Sequence, residues 1–366
     1  MAFEAFEHGG MPLERLRGSR TGVFIGISTG DYGQLQHHPQ PHRRLSAFTA
    51  QGCAISIAAN RLSYCFDLRG PSFALDTACS SSITAMDCGV KSLRCGESDC
   101  VVVGGINLIL NPEAFISFSA ASMLSPDGRC KAFDASANGF VRAEGGGVVV
   151  MKRLQDALRD GDPIRAVVVE SGVNQDGRTN GIAMPNFEAQ KALLEDVYTR
   201  ANVDPNNVRY IETHGTGTAV GDPTEAAALG SVFSTSRAVD RPLILGSVKT
   251  NIGHLEAGSG MASLIKALLI IQHREIPKNL HFNQPNPNIR FEEHRLQVST
   301  EHQRWPAGES IQIDINSFGF GGANAHLLIS EYIPNRSVAA KQSNLKHLES
   351  GTNGAGMKVA ETMKPT

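Results

Sequence analysis

The stretch that decides the fold of this chain is Asp76-Thr77-Ala78-Cys79-Ser80-Ser81-Ser82, a lone cysteine among small residues. The apolar run Phe73-Ala74-Leu75 precedes it, and Ile83, Met86 and Val90 follow at helical spacing. This pattern predicts a strand, a sharp turn and a buried helix that begins near Cys79. Backbone N–H groups and the helix dipole stabilise a thiolate at such a position, so we expect a lowered thiol pKa and a nucleophilic sulfur.

The alternative is that Cys79 is a buried core thiol, the usual state of cysteine in an intracellular protein. We expect that state for the other six cysteines, which are Cys53, Cys65, Cys88, Cys95, Cys100 and Cys130. The count of seven is odd and the spacing lacks paired metal ligands. The sequence therefore predicts a reducing cytoplasmic environment, with no disulfide framework and no metal site.

The composition is that of a globular enzyme: 366 residues, 41% hydrophobic and 19% charged. With 34 basic and 36 acidic residues the net charge is −2, which implies no general attraction to nucleic acid or to an anionic membrane. The apolar run 262–271 is interrupted by Lys266 and is too short to span a bilayer. We expect a soluble protein in which this run is a core helix.

Strand and helix patterns alternate along the chain, which indicates an α/β fold with two wound halves. The expected opening is a helix over 1–16, a strand over 21–29 and a surface loop over 34–44. We divide the chain into an N-terminal half over 1–160 that carries Cys79, a C-terminal half over 161–333 that carries two candidate histidines, and a disordered polar tail or linker over 334–366.

Three further stretches have the residue types of a reaction site. His214-Gly215-Thr216-Gly217-Thr218 follows the predicted strand 208–212, and a run from Lys249 to Gly258, which contains His254, follows the predicted strand 243–247. Sites of α/β proteins usually lie at such strand ends. A glycine-rich turn over 316–326 is suited to presenting backbone N–H groups, as an oxyanion hole requires.

Each of these signals has an ordinary structural explanation when it stands alone. A single histidine is usually a hydrogen-bonded structural residue, and a glycine-rich turn is usually only a turn. A cysteine with two histidines also suggests a papain-like protease or a zinc site. The protease would leave one histidine unexplained, and zinc would require a third or fourth closely spaced ligand.

In order along the chain, DTACSSS at 76–82, HGTGT at 214–218, KTNIGHLEAGSG at 249–260 and NSFGFGGANAH at 316–326 resemble one known family. It is the β-ketoacyl synthase, or ketosynthase, domain of type I polyketide synthases, within the thiolase-like superfamily. The stretches SPDGRCKAFD at 125–134 and NQDGRTNG at 174–181 add to the likeness, which covers about 3–333. The resemblance implies two pseudo-repeated βαβ halves whose sheets are sandwiched by helices, in a layered αβαβα arrangement.

The resemblance also implies an acyltransferase activity, a decarboxylative Claisen condensation in polyketide or fatty acyl biosynthesis. Cys79 would accept an acyl group, and His214 and His254 would assist loss of carbon dioxide from a malonyl-type extender and stabilise the enolate. The N–H groups of Cys79 and Phe320 would bind the thioester oxyanion. Lys249 would support the second histidine electrostatically, with Glu256 as its partner.

Substrates would arrive as acyl and malonyl-type thioesters on the phosphopantetheine arm of an acyl carrier protein, so the resemblance implies no bound cofactor of the chain's own. The residues expected to contact this arm lie in the three motifs and are Thr216, Thr218, Asn251, Phe318 and Gly319. The implied partners are the carrier protein, other polyketide synthase domains or chains, and a second copy in a homodimer through the region near 54–76.

The chain departs from the family pattern at its start, where several tens of residues and a first strand are expected. We therefore expect an N-terminally truncated chain or a fragment, with a first sheet that lacks a strand and leaves apolar surface unburied. Two alternative functions follow. One is a catalytically silent fragment that supplies only dimer or carrier-protein contacts, and the other is a malonyl decarboxylase variant, which would not require a nucleophile.

Overall fold

The computed structural model describes residues 1–37, 46–235 and 237–334, and Met1–Glu331 form one compact unit. The expected polar tail beyond residue 334 and positions 38–44 of the expected loop lie outside the described residues. Positions 34–37 of that loop belong to a helix instead.

The regular elements alternate between helix and strand over most of the chain. The helices are α1 (Ala2–His8), α2 (Leu13–Leu16), α3 (Asp31–His37), α4 (Thr49–Cys53), α5 (Ile57–Phe66), α6 (Ser81–Arg94), α7 (Glu113–Ala120), α8 (Leu154–Asp160), α9 (Phe187–Ala201), α10 (Gly221–Phe233), α11 (Lys249–Ile252) and α12 (Ser259–His273). The strands are β1 (Thr21–Gly26), β2 (Ser72–Leu75), β3 (Cys100–Asn107), β4 (Gly145–Lys152), β5 (Val167–Gln175), β6 (Tyr210–Glu212), β7 (Leu243–Gly246), β8 (Glu275–Ile276), β9 (Leu296–Val298), β10 (Gln303–Arg304), β11 (Gln312–Phe318) and β12 (Ala323–Ser330).

Two sheets of like topology form the body of the molecule. The first has the order β2-β1-β3-β4, in which β2, β1 and β3 are parallel and the edge strand β4 pairs antiparallel with β3. In the second, β7-β6-β11-β12 repeats this arrangement, again with the last strand antiparallel. The second sheet continues with β5 beyond β12 and with β9 beyond β7. The predicted pseudo-repeat is therefore confirmed.

The helices form three layers around these sheets. Helices α6 and α12 lie between the sheets, where α6 packs on β1 and β3 of the first and on β5 and β12 of the second. Helices α1 and α5 cover the outer face of the first sheet, and α9 covers that of the second with α10 beside it. The predicted αβαβα layering is thus present, with one apolar cluster around the central helices between the two sheets and one on the outer face of each sheet.

The beginning of the chain differs from the single helix expected over 1–16. Helix α1 ends at His8, and the next helix begins only at Leu13. The intervening Gly10 has φ +66°, a left-handed conformation that suits glycine and stops a helix. Pro12 then precedes α2 in an extended conformation. A Gly-Gly-X-Pro segment therefore interrupts the apolar periodicity that predicted one helix.

Helix α12 contains the apolar run that was expected to form a core helix. It packs against β11 on one side and against β3 and β4 on the other, and Lys266 forms an ion pair with the buried Glu212 at 2.7 Å. Within the described ranges, no helix is long and apolar enough to cross a membrane.

The outer edge of β4 is the main difference between the two sheets. Strand β12 has β5 on its outer side and is buried along most of its length, whereas Val148 to Lys152 of β4 are only partly buried. Among the described residues no strand pairs with the outer side of β4. A groove of about 840 Å³ follows this edge, and α12 presents the partly exposed Ile265 and Leu269 to it. The expected unburied apolar surface is therefore present at this position.

Hydrogen exchange tests this difference in strand pairing. We expect the alternate β4 amides that point away from β3 to exchange about tenfold or more faster than the amides of β12, because their N–H groups lack a strand partner. Residue-resolved hydrogen–deuterium exchange measures both strands in one sample. Equal protection of the two strands would show that the β4 edge is covered.

Candidate active site

Cys79 lies at a strained turn between β2 and α6. Ala78 has φ +54°, and a 3₁₀ turn over Ala78–Ser80 leads directly into α6. The backbone carbonyl of Cys79 accepts hydrogen bonds from the hydroxyls of Ser317 at 2.8 Å and Ser259 at 3.2 Å. The predicted strand, turn and helix are therefore present, and two hydroxyls of the C-terminal half hold the cysteine backbone in place.

The thiol of Cys79 differs from the sequence expectation in its protonation. Burial, with a further contribution from the Glu256 carboxylate, raises the pKa of this thiol to about 12. Lys249 and the backbone N–H groups of Phe320 and Cys79 act in the opposite direction but do not compensate. The expectation of a lowered pKa is wrong, because sequence indicates the helix terminus but not the desolvation of the sulfur. The resting site holds a neutral thiol.

The turn between β11 and β12 connects the cysteine to the first histidine. The backbone N–H of Phe320 lies near the Cys79 sulfur and favours its thiolate, and that of Phe318 donates to Nδ1 of His214 at 3.3 Å. Gly319 lies between them, where a Cβ would come within 2.4 Å of the Thr77 carbonyl oxygen. Glycine is therefore required at this position for the turn to approach the cysteine loop.

His214 follows β6 in a loop that a buried carboxylate holds. Both oxygens of Glu225 accept backbone N–H bonds, from His214 at 2.8 Å and from Gly215 at 2.9 Å. Burial, followed by the nearby Lys249 and His254, lowers the pKa of His214 well below its usual value, so the ring is neutral. Since Nδ1 accepts a hydrogen bond, the single ring proton is on Nε2.

His254 is buried and lies edge to face with His214, with 5.5 Å between ring centroids. Its Nδ1 accepts the backbone N–H of Glu256 at 3.2 Å, so here too the proton of the neutral ring is on Nε2. Burial, Lys249 and Arg142 lower its pKa well below the usual value. The structure therefore brings together two neutral imidazoles of the same tautomer.

The expected pair between Lys249 and Glu256 is wrong. Glu256 pairs with the buried guanidinium of Arg142, through Nε and, at 3.3 Å, through Nη2. Among the described residues Lys249 forms no ion pair, although the carboxylates of Glu212 and Glu225 favour its charged form. Burial outweighs these contributions and lowers the pKa of the Lys249 ammonium. Arg142 is closer to the glutamate because its segment runs alongside residue 254.

The five expected pantetheine contacts have different surroundings. Thr216 is buried, with its hydroxyl 3.1 Å from that of the partly buried Thr218. Phe318 is partly buried and packs on the His214 ring at 5.6 Å, whereas Asn251 in α11 is exposed. Gly319 forms the turn described above. The two threonines and the phenylalanine thus belong to loops that hold His214, while Asn251 lies at the surface.

Several residues that shape the site were absent from the sequence prediction. Glu225 and Asp222 begin α10, and Asp222 accepts backbone N–H bonds from Phe133 at 2.7 Å and Gly217 at 3.1 Å. Burial raises the pKa of Asp222 to about 7. Arg142 was missed as well. A signal for the acids was available, since Asp222 lies in the first turn of a largely apolar helix directly after the His214 motif, and Glu225 follows one turn later.

The remaining cysteines and the metal prediction can be compared with the structure. All seven cysteines are free, and of the six outside the site only Cys100 and Cys130 are buried. The core expectation is wrong for Cys65 and Cys95, which are exposed. Within the described part of the chain no group of three or more His, Cys, Asp or Glu residues is arranged to hold a metal ion.

Comparison with known proteins gives the family of this fold and site. Residues 1–157 match the family described as "Beta-ketoacyl synthase, N-terminal domain", and residues 165–283 match "Beta-ketoacyl synthase, C-terminal domain". Residues 285–362 match "Ketoacyl-synthetase C-terminal extension". The fold is the thiolase-like α/β fold of condensing enzymes. The chain belongs to the β-ketoacyl synthase family, among the ketosynthases of polyketide synthases.

The relatives and the solved structures agree on this family. The chain is 50% identical over 332 residues to a phenolphthiocerol/phthiocerol polyketide synthase of Mycobacterium tuberculosis, and the match covers 90% of this chain and 18% of that protein. It is 44% identical to the highly reducing polyketide synthase dmxL2 of Cryptosporiopsis sp., with coverage of 97% and 15%. The ketosynthase from module 6 of the bacillaene synthase of Bacillus subtilis 168 superposes with a TM-score of 0.84 at 37% identity, covering 97% of this chain and 64% of that one. The chain thus spans less than a fifth of the curated relatives' length.

The pH dependence of thiol alkylation tests the neutral resting state of Cys79. Because the thiolate fraction rises about tenfold per pH unit below the pKa, and that pKa is about 12, we expect iodoacetamide modification to rise without a plateau from about pH 7 to about pH 10. Peptide mass mapping measures the rate at this cysteine. In denatured protein, where the thiol has its ordinary pKa, the alkylation rate should level off at about pH 9. A plateau below about pH 9 in the folded protein would contradict the neutral resting state of Cys79.

Proposed function

We propose that this chain is a β-ketoacyl synthase that joins a Cys79-bound acyl group to a malonyl-type extender with loss of carbon dioxide. The observation that carries the proposal is the convergence of two kinds of donor. The backbone N–H groups of Phe320 and Cys79 favour negative charge at the sulfur, and the neutral His214 and His254 keep their protons on Nε2. Donors of both kinds stabilise negative charge that develops on thioester oxygens.

In the first half-reaction the sulfur of Cys79 attacks the carbonyl carbon of an acyl thioester. The oxyanion that forms accepts hydrogen bonds from the N–H groups of Cys79 and Phe320. Collapse of the tetrahedral intermediate breaks the bond to the pantetheine sulfur, and the proton that the Cys79 thiol loses goes to this leaving thiolate. Because the resting thiol is neutral, its deprotonation accompanies substrate binding.

In the second half-reaction a malonyl-type thioester loses carbon dioxide, and the electron pair of the broken bond forms an enolate. The enolate oxygen accepts hydrogen bonds from Nε2 of His214 and of His254. Each neutral ring carries its one proton on Nε2, so both rings can act as hydrogen-bond donors. The enolate carbon attacks the acyl-Cys79 carbonyl and gives a β-ketoacyl thioester. The thiolate that is released takes up a proton and restores the resting site.

Two loops support the binding of a phosphopantetheine arm that is carried by an acyl carrier protein. Thr216 and Thr218 provide hydroxyls beside His214, and Phe318 provides an apolar wall. Phe320 is about half exposed and packs on Phe118 with centroids 6.1 Å apart, so a rotation of its side chain would open the approach to Cys79. We propose these residues as the arm's contacts, with Asn251 and Gly319 at its edge.

The partner proposals extend to a homodimer and to the surrounding synthase. Strand β2 is the outer strand of the first sheet, and its Phe73 is 41% exposed. In the preceding segment Ile55 and Tyr64 are also exposed. An apolar edge of this kind favours pairing with a second copy of the chain. Other polyketide synthase domains and a reducing cytoplasmic location, which the free cysteines favour, complete the proposal.

Acylation provides the direct test of the proposed function. Incubation with an acyl-pantetheine thioester should add one acyl mass to the intact protein, because the sulfur is aligned with the two backbone donors. The adduct should disappear in Cys79→Ala and persist in the matched control Cys95→Ala, which removes an exposed thiol. An unmodified wild-type protein would support the catalytically silent fragment instead.

The separate roles proposed for Cys79 in acylation and for His254 in decarboxylation give a second test. We expect His254→Ala to keep the acyl adduct but to release carbon dioxide from a malonyl thioester about 100-fold or more slowly, since an oxyanion donor contributes about that factor. A mass measurement and a carbon dioxide assay separate the two steps. Full decarboxylation by Cys79→Ala without any wild-type condensation product would favour the decarboxylase variant.

The dimer proposal is tested by the molar mass in solution. A charge on the apolar edge should prevent pairing, so we expect wild type to sediment as a dimer and Phe73→Asp as a monomer. Val239→Asp changes an equally apolar exposed residue in the other half of the chain and should remain dimeric. Identical sedimentation of all three proteins would exclude an interface at β2.

A further inference from the structure

The buried side chain of Arg142 is the feature that the proposed mechanism leaves unexplained. Its guanidinium pairs with both carboxylate oxygens of Glu256, and it lies 4.7 Å from the ring centroid of Phe115 and 5.6 Å from that of Phe118. The remaining Nη1 is buried without a hydrogen-bond partner within the described ranges. Burial of a charged guanidinium with a single carboxylate partner costs free energy. The presence of Arg142 at this position therefore indicates that it compensates the charge of the Glu256 carboxylate.

The backbone around Arg142 also fixes the position of His254. The His254 N–H donates to the Val141 carbonyl at 2.7 Å, and the Ala143 N–H donates to the His254 carbonyl at 2.9 Å. The ring of Phe140 packs edge to face on the imidazole, with centroids 5.2 Å apart. One short segment thus holds the histidine on its main chain and on its ring.

Glu256 links the Arg142 guanidinium to the imidazole of His254. Its backbone has φ +46°, a left-handed conformation that a glutamate adopts only when its surroundings impose it, and in this conformation its N–H reaches Nδ1 of His254. The paired carboxylate holds the residue in that conformation. Arg142 therefore acts on the imidazole through Glu256 as well as through its own backbone.

We propose that Arg142 is a positioning residue of the condensation site, which fixes the donor tautomer of His254 and neutralises the Glu256 carboxylate beside Cys79. The proposal rests on the function proposed above for His254. The contacts of the Arg142 guanidinium are with Glu256 and with the two phenylalanines of α7.

The charges around the two reacting groups give the sign of the expected effects. The Cys79 thiol senses the Glu256 carboxylate and the Lys249 ammonium, and the carboxylate raises the thiol pKa. His254 senses Lys249 and Arg142 and lies against the neutral His214. Loss of the guanidinium would leave an unpaired carboxylate near the sulfur and disfavour the thiolate. Loss of the carboxylate would leave an unpaired cation and favour it.

A charge cycle of three variants tests the proposal through the alkylation rate of Cys79 at a fixed pH of about 8. We expect Arg142→Met to slow alkylation about tenfold and Glu256→Gln to accelerate it by a similar factor, since one pKa unit changes the thiolate fraction tenfold. The double variant Arg142→Met/Glu256→Gln should return to within about threefold of wild type. If Arg142→Met fails to fold, Glu256→Gln and the double variant still give the effect of the guanidinium.

Decarboxylation of a malonyl thioester gives the readout for His254. Arg142→Met should lower kcat about tenfold or more and leave KM within about twofold, because the arginine orients a donor without touching the substrate. Equal alkylation rates in all four proteins, or a double variant that is as slow as Arg142→Met, would overturn the proposal. Alkylation needs no turnover, so a wild-type protein that cannot condense would refute the proposed function while leaving this charge cycle measurable.

Discussion

The close approach of the β11–β12 turn to the cysteine loop is the constraint on which the site depends. At Gly319 the two backbones are so near that a side chain would collide with the Thr77 carbonyl. This contact brings the N–H of Phe320 to the Cys79 sulfur and that of Phe318 to the ring of His214. The Cys79 thiol and the His214 ring therefore meet amides that are two residues apart in the antiparallel hairpin of β11 and β12. Their separation is fixed by backbone geometry instead of by flexible side chains.

Desolvation explains the protonation states of the whole site. The same burial that raises the pKa of Cys79 lowers that of His214, His254 and Lys249. Every one of these shifts favours a neutral group over a charged one. The neutral thiol and imidazoles do not compete with incoming thioesters for the hydrogen-bond donors of the site. Negative charge on the thioester oxygens appears only when substrate reacts, where fixed donors stabilise it most effectively.

The α/β alternation and the three candidate reacting side chains could be predicted because each depends on local patterns, and the layered fold because the motifs resemble a known family. Cys79, His214 and His254 all follow predicted strands, and strand ends of an α/β fold meet in space. The partner of Glu256 could not be predicted in this way. Arg142 is separated from it by 114 residues and lies in a segment with no helix or strand pattern. Long-range pairing and the degree of burial are properties of the folded chain, and the errors on Lys249 and on the Cys79 pKa arise from them.

Buried carboxylates give the catalytic loops a common support. Glu225 accepts the amides of His214 and Gly215, Asp222 accepts that of Gly217, and Glu212 accepts the Val248 amide at 2.6 Å, directly before Lys249. Each of these hydrogen bonds contributes about 0.5–1.5 kcal/mol when the acid is neutral and about 1.5–3 kcal/mol when it is charged. Glycine-rich loops have more conformational freedom in the unfolded chain than other loops, and these hydrogen bonds offset the entropy lost when the loops are ordered. The acids in strand β6 and at the start of α10 thus hold these glycine-rich loops in one conformation.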